Sequence, residues 1–307
     1  MMRQRFLWWT VAAVWFGAMP ASAAPKPLKV VATLSTFADL AKTIGGDHVD
    51  VSSIAPPQFN PHFIEPKPSD VLKVKRAQLL IHAGLDLELW RGPLLDAAGN
   101  TSVFPGQPGE LDLSRGIELL EVPDRPMSRA EGDIHLYGNP HYWLSPDNGR
   151  TMAKAICDKL CEIDPHHQDA YHRNLETFLA ELAARVPEWR AHLALFRGQE
   201  LVGYHNEWPY LMGFAGLRME HFLEPKPGIP PTPKQVEFLT QHIGQHHIRA
   251  IVQSSSSPRQ AADTLAKRSG ARVAVLCQSV RELPSCGDYM AMLEYNVQQL
   301  MGALRDG

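Results

Sequence analysis

Apolar and polar positions alternate in short blocks along this chain, and the blocks change period in a regular rhythm. After a first apolar stretch at residues 6–18, the run 28–33 (Leu-Lys-Val-Val-Ala-Thr) is β-rich, residues 35–44 have helical spacing, and Gly45-Gly46 closes them. Residues 49–55 then predict a strand, 69–76 a helix and 79–83 a third strand. The second half repeats the rhythm: strand 201–203, helix 233–242, strand 250–252, helix 261–269 and strand 273–276. Strands that alternate with helices predict parallel sheets covered by helices. The expected fold class is therefore α/β, as two lobes of similar build. Between them, 148–162 and 165–196 read as helices, the second with Leu175, Phe178, Leu179, Leu182 and Val186 at helical spacing and Pro187 as a point of kinking. A helix that long would act as a rigid connector.

The amino terminus changes the picture. A basic start (Arg3, Arg5), the apolar stretch and Ala21-Ser22-Ala23 make a secretory signal peptide, cut after Ala23. No cysteine follows that point, so no lipid anchor is expected, and the product is a soluble exported protein. The domain plan is signal peptide 1–23, amino-terminal lobe 24–164, connector helix 165–197 and carboxy-terminal lobe 198–307. The exported length exceeds the usual single core. A net charge of -3 without a basic cluster speaks against nucleic acid. Of four cysteines, Cys277 and Cys286 could close a short loop across Pro284, while Cys157 and Cys161 stand four apart on a helix and read as buried thiols.

The candidate chemistry is histidine. Asn60-Pro61-His62-Phe63 recurs as Asn139-Pro140-His141-Tyr142, and a third histidine lies in Tyr204-His205-Asn206 after an apolar run. A four-residue pattern can recur by chance. Here, however, His62 and His205 each follow a strand, and in open α/β sheets ligands bind beyond the carboxyl ends of the strands. Three imidazoles that converge there form the core of a transition-metal site.

Several further segments occur in a characteristic order: Glu65-Pro66-Lys67-Pro68-Ser69-Asp70, Ala83-Gly84-Leu85-Asp86-Leu87-Glu88 with Trp90, Tyr142-Trp143-Leu144-Ser145-Pro146-Asp147-Asn148, Pro230-Pro231-Thr232-Pro233-Lys234, and Tyr289-Met290 with Met292, Tyr295 and Asn296. With the histidine motifs, they resemble the cluster A-I periplasmic solute-binding proteins of zinc and manganese ABC importers. The resemblance implies two α/β lobes joined by a rigid helix, with the metal between them. It carries the ligand roles onto His62, His141 and His205, with histidine at the third place in zinc binders. It also implies periplasmic capture of Zn2+ as cargo and hand-over to a membrane permease with its ATPase. The chain has no phosphate-binding loop of its own, is expected to be a monomer and is not expected to be an enzyme.

The pattern departs at the fourth ligand. The resemblance implies a carboxylate after the last strand of the second lobe, where Gln278 stands, and Gln253 replaces another acid. Gln278, water or Glu224 are the candidates for the fourth position. The loop ahead of His141 holds only Asp133 and His135, so His135 is an accessory ligand at most. Glu65 is expected to orient a ligand imidazole or to close a turn rather than to bind metal itself. His242, His246 and His247, like His166, His167, His172 and His192, read as solvated helix positions. A rival reading is a secreted three-histidine zinc hydrolase with an open coordination position, although no carboxylate is evidently placed as a general base. The same carrier could also take manganese, iron or copper, against which His205 and the missing carboxylate argue in the case of manganese.

Overall fold

The computed structural model describes residues 26–125, 135–224 and 228–305. The predicted signal peptide and Asp133 lie outside these residues, as does most of the loop ahead of His135. Among the described residues, no helix is long and apolar enough to cross a membrane.

The amino-terminal sheet consists of β1 (Leu28–Ala32), β2 (Val49–Ser53), β3 (Leu79–His82) and β4 (Glu110–Asp112) in the order β2-β1-β3-β4. The carboxy-terminal sheet repeats it with β5 (Glu200–Gly203), β6 (Arg218–Phe222), β7 (Ala250–Ser254) and β8 (Arg272–Leu276) in the order β6-β5-β7-β8. Every pairing is parallel. Central strands buried on both faces need continuous apolar runs, as in Leu79-Leu80-Ile81 of β3 and Ala250-Ile251-Val252 of β7, whose residues are all buried. The edge strands β4 and β6 escape the apolar pattern because charged residues interrupt both, Glu110 and Asp112 in β4 and Arg218 and Glu220 in β6.

Helix α1 (Ser35–Gly45) packs Phe37, Leu40, Ala41 and Ile44 on the first sheet, with α2 (Pro68–Lys75) and α3 (Arg91–Ala98) completing that lobe. α4 (Pro146–Ile163) is followed by a single 3-10 turn at Pro165–His167 and then by α5 (Gln168–Ala194). The expected helix 165–196 is thus one 27-residue helix with a separate turn before it, about 40 Å long at 1.5 Å per residue. It runs on through Pro187. α6 (Pro209–Ala215), α7 (Pro233–His246), α8 (Arg259–Ser269) and α9 (Tyr289–Leu304) belong to the second half.

One core runs through both lobes. Val30 and Leu80 of the first sheet, Trp143, Trp189 and Trp208, and Leu201, Ala250 and Leu276 of the second belong to a single contiguous cluster. Polar contacts tie the halves together across it. Trp143 Nε1 donates to the Gln278 carbonyl at 2.8 Å, Ser35 Oγ to the Val280 carbonyl at 2.8 Å, and the Tyr289 hydroxyl to the Trp143 carbonyl at 2.9 Å. Gly149 of α4 lies under Tyr289 of α9, where a Cβ would sit 2.7 Å from the ring, so only glycine permits this approach. A smaller cluster built on Val202, Leu239, Ile243 and Leu265 fills the space under α7 and α8. The Cys277–Cys286 disulfide forms as the spacing allows, and Cys157 and Cys161 are free thiols.

Candidate metal centre

The twin Asn-Pro-His segments fold into twin turns. After Asn60, residues Pro61–Phe63 make one turn of 3-10 helix; the Asn60 side chain accepts the His62 backbone N–H at 3.0 Å, and Trp90 Nε1 donates to the Pro61 carbonyl at 2.9 Å. In the second copy, Asn139 Oδ1 accepts from the His141 backbone N–H and from its ring Nδ1, both at 3.0 Å. The Asn139 amide nitrogen donates to Glu121 at 2.9 Å and to the Asn206 carbonyl at 3.0 Å, so this buried side chain also reaches the other lobe. His205 lies two residues beyond β5 and is fixed by Glu224, whose Oε2 accepts from ring Nδ1 at 2.9 Å.

These turns bring His62, His141 and His205 together, and His135 with them. One ligand atom from each of the four lies within 4.8 Å of every other. His62 Nε2 is 3.3 Å from His141 Nε2. Two nitrogens bound tetrahedrally to one zinc at about 2.1 Å would be about 3.4 Å apart, so this spacing fits the edge of a zinc ligand set. His135 Nδ1 faces Asp86 Oδ1 at 3.4 Å, and its Nε2 is buried with no hydrogen-bond partner among the described residues. With Nδ1 of His141 and His205 donating to oxygen acceptors, the Nε2 lone pairs are left to point inward, the arrangement in which ligating imidazoles are normally held. Burial first, and neighbouring imidazoles second, push the ring pKa values of His62 and His141 well below the ordinary histidine range. Both rings are therefore neutral donors at pH 7.

His135 thus belongs to the cluster itself, beyond the accessory place expected for it. Its sequence signal was weak because a single histidine in a polar loop has no periodicity. Glu65 is exposed, and the imidazole-orienting carboxylates are Asp86 and Glu224. Glu224 accordingly stands behind His205. Gln278, two residues beyond β8, is buried, and its backbone N–H donates to Glu282 at 2.6 Å. Gln253 is fully buried at the carboxyl end of β7, with neither side-chain atom hydrogen-bonded among the described residues.

Sequence reasoning overlooked Glu207. Its side chain is 2 % exposed, accepts a hydrogen bond from the Gln278 side chain and leaves Oε2 without a partner among the described residues. Burial raises its pKa to about 7, against the opposing pull of His205 and Gln278. A glutamate wedged between a site histidine and Trp208-Pro209 is the signal that could have marked it.

Two like parallel α/β lobes that meet over a nest of imidazoles are the build of a metal-binding, substrate-binding protein of an ABC importer. A family profile described as ZnuA, zinc-uptake complex component A, periplasmic, matches residues 30–303. The chain belongs to that family, whose members are substrate-binding transport proteins rather than enzymes. It is 28% identical over 286 residues to the iron ABC transporter substrate-binding lipoprotein MtsA of Streptococcus pyogenes serotype M1, covering 90% of this chain and 89% of the relative. With the manganese ABC transporter substrate-binding lipoprotein PsaA of Streptococcus mitis it shares 26% identity over 292 residues, 92% of this chain and 91% of the relative. The fold is similar to that in a crystal structure of ZnuA, with a TM-score of 0.76 at 24% identity over 90% of this chain and 99% of that one.

Proposed function

We infer that the protein captures a divalent transition metal in the periplasm, zinc foremost, and delivers it to a membrane permease driven by an ATPase. His62, His141 and His205 are the ligands, and His135 is the fourth. The observation that carries this reading is the 3.3 Å separation of the His62 and His141 Nε2 atoms inside a set of four imidazoles, three of them buried. The donor chemistry favours zinc over manganese and calcium, since imidazole suits zinc whereas harder cations prefer oxygen. The relatives named for iron and manganese make metal choice the point to test. The chain acts as a monomer and does no chemistry on its cargo; release follows when docking distorts the site or when protons compete for the imidazoles.

Metal-free protein titrated with zinc, manganese and copper against a chelator tests the assignment, for wild type and His205→Ala. Zinc should be held well above manganese, and the variant should lose most of that affinity. A preference for manganese, or undiminished zinc binding in the variant, would refute it.

A further inference from the structure

The carboxy-terminal lobe carries a second convergence of metal-type donors. Glu200 opens β5, His221 lies in the edge strand β6, and His242 lies in α7; one ligand atom from each falls within 4.8 Å of the others. His242 Nε2 is 2.8 Å from Glu200 Oε1, and both side chains are only 13% exposed. The His221 and His242 rings meet at 4.2 Å, and His246, one turn along α7, lies 4.3 Å from His242. A lone Glu-His ion pair would account for His242 but not for the second and third imidazoles against it.

The strand register explains how His221 arrives there. Leu201 pairs with Met219, the register then breaks, and Val202 pairs with His221, which passes over Glu220. Leu201 and Met219 pack on the main core, whereas Val202 belongs to the cluster under α7 and α8. In an unbroken strand, Glu220 would pair with Val202 and face α7. The irregularity turns Glu220 outward, where it is exposed, and sets His221 toward α7 in its place. Phe238, His242 and His246 recur at four-residue steps and so form one stripe of that helix, with Phe238 5.5 Å from His221.

We propose that Glu200, His221 and His242 form a second binding site for a zinc-type divalent cation on the carboxy-terminal lobe, with His246 stacked beside it. The set of imidazoles and one carboxylate matches zinc preference. It brings its own negative charge, but it has fewer imidazoles than the four-imidazole centre and stands nearer to solvent, so it takes up the cation second. The proposal does not depend on the role of His62, His141 and His205.

Tag-free, metal-free protein is titrated with zinc against a chromophoric chelator, and with cobalt(II) followed by absorption. Wild type should bind two equivalents. H221A/H242A should bind one, with the affinity of the first unchanged, while H62A/H141A should keep only the weaker one. Glu200→Gln, which leaves both rings in place, should weaken the second equivalent by about tenfold or more. One equivalent in wild type, two in H221A/H242A, or an unaltered second affinity in Glu200→Gln would each overturn the proposal. So would thiolate-to-cobalt charge-transfer absorption for the second equivalent, which would assign it to Cys157, Cys161 and His172, the other such group of donors among the described residues.

Discussion

The side chain of Gln278 donates a hydrogen bond to the carboxylate of Glu207. The residue that stands where an acid is expected therefore holds a different acid, contributed by the loop of His205. A dication among four neutral imidazoles needs a nearby anion, and a buried carboxylate with a vacant oxygen can supply that charge from the wall of the site. Glu207→Gln should therefore lower zinc affinity by about 10- to 100-fold, the usual range for groups just outside the ligands. The metal-free variant should at the same time be more stable at pH 8, by roughly 1–3 kcal/mol, because it no longer buries an ionised carboxyl. Chelator competition and urea unfolding measure the two effects, and a variant that loses stability without metal would contradict the assignment.

Asn139 orients the His141 ring and bonds to the backbone of Asn206. Asn139→Ala should reduce zinc affinity by about 10- to 100-fold through loss of ring orientation. It should also cost about 1–3 kcal/mol, because buried partners lose their bonds. Isothermal titration and chemical denaturation of one preparation provide both numbers. Retained affinity would show that the 3-10 turn Tyr142–Leu144, which His141 caps, aligns the ring without Asn139.

The depressed pKa values of His62 and His141 have a definite sign in stability. Between the unfolded pKa of about 6.5 and the lower folded values, the unfolded chain binds more protons than the folded one, so stability rises with pH there. Metal-free protein should lose stability as pH falls below about 6.5, by up to roughly 1.4 kcal/mol per pH unit for each ring. Urea midpoints from pH 8 to 5 test this. His62→Ala should show a shallower slope, and an equal slope would exclude the imidazoles as its source.

The disulfide brackets Gln278 and Glu282 with a sequence separation of 9. Loop-closure entropy for a loop of about ten residues gives about 2.7 kcal/mol. A Cys277→Ser/Cys286→Ser variant should be destabilised by roughly that amount in guanidinium unfolding. A change under about 0.5 kcal/mol would show that Asn296, which bonds to both the N–H and the carbonyl of Cys277, holds the segment unaided.

Continuous apolar runs identified the central strands, which are buried on both faces, and helical spacing identified the long helices. Strands β4 and β6 stayed hidden, since Glu110, Asp112, Arg218 and Glu220 interrupt that pattern at sheet edges. Three of the four clustered imidazoles were legible, each next to a prolyl turn or a strand end. His135 was not, because its place depends on Asp86, which is 49 residues earlier in the chain and carries no local mark. Glu207 escaped for a related reason: burial of a carboxylate follows from packing by Trp208 and Gln278, and no spacing rule encodes it. His221 is the extreme case, placed by a register break that only strand pairing reveals.

The shared core has a practical consequence for sensors built on this scaffold. Separating the lobes would expose Trp143, Trp189 and Trp208 and break the Tyr289 and Trp143 bonds, a far larger penalty than one cation's contacts can offset. Fluorophores fused to the two lobes should therefore give an almost constant energy-transfer signal with and without zinc. A dye placed beside Tyr137, exposed on the segment between His135 and His141, should be the one that changes.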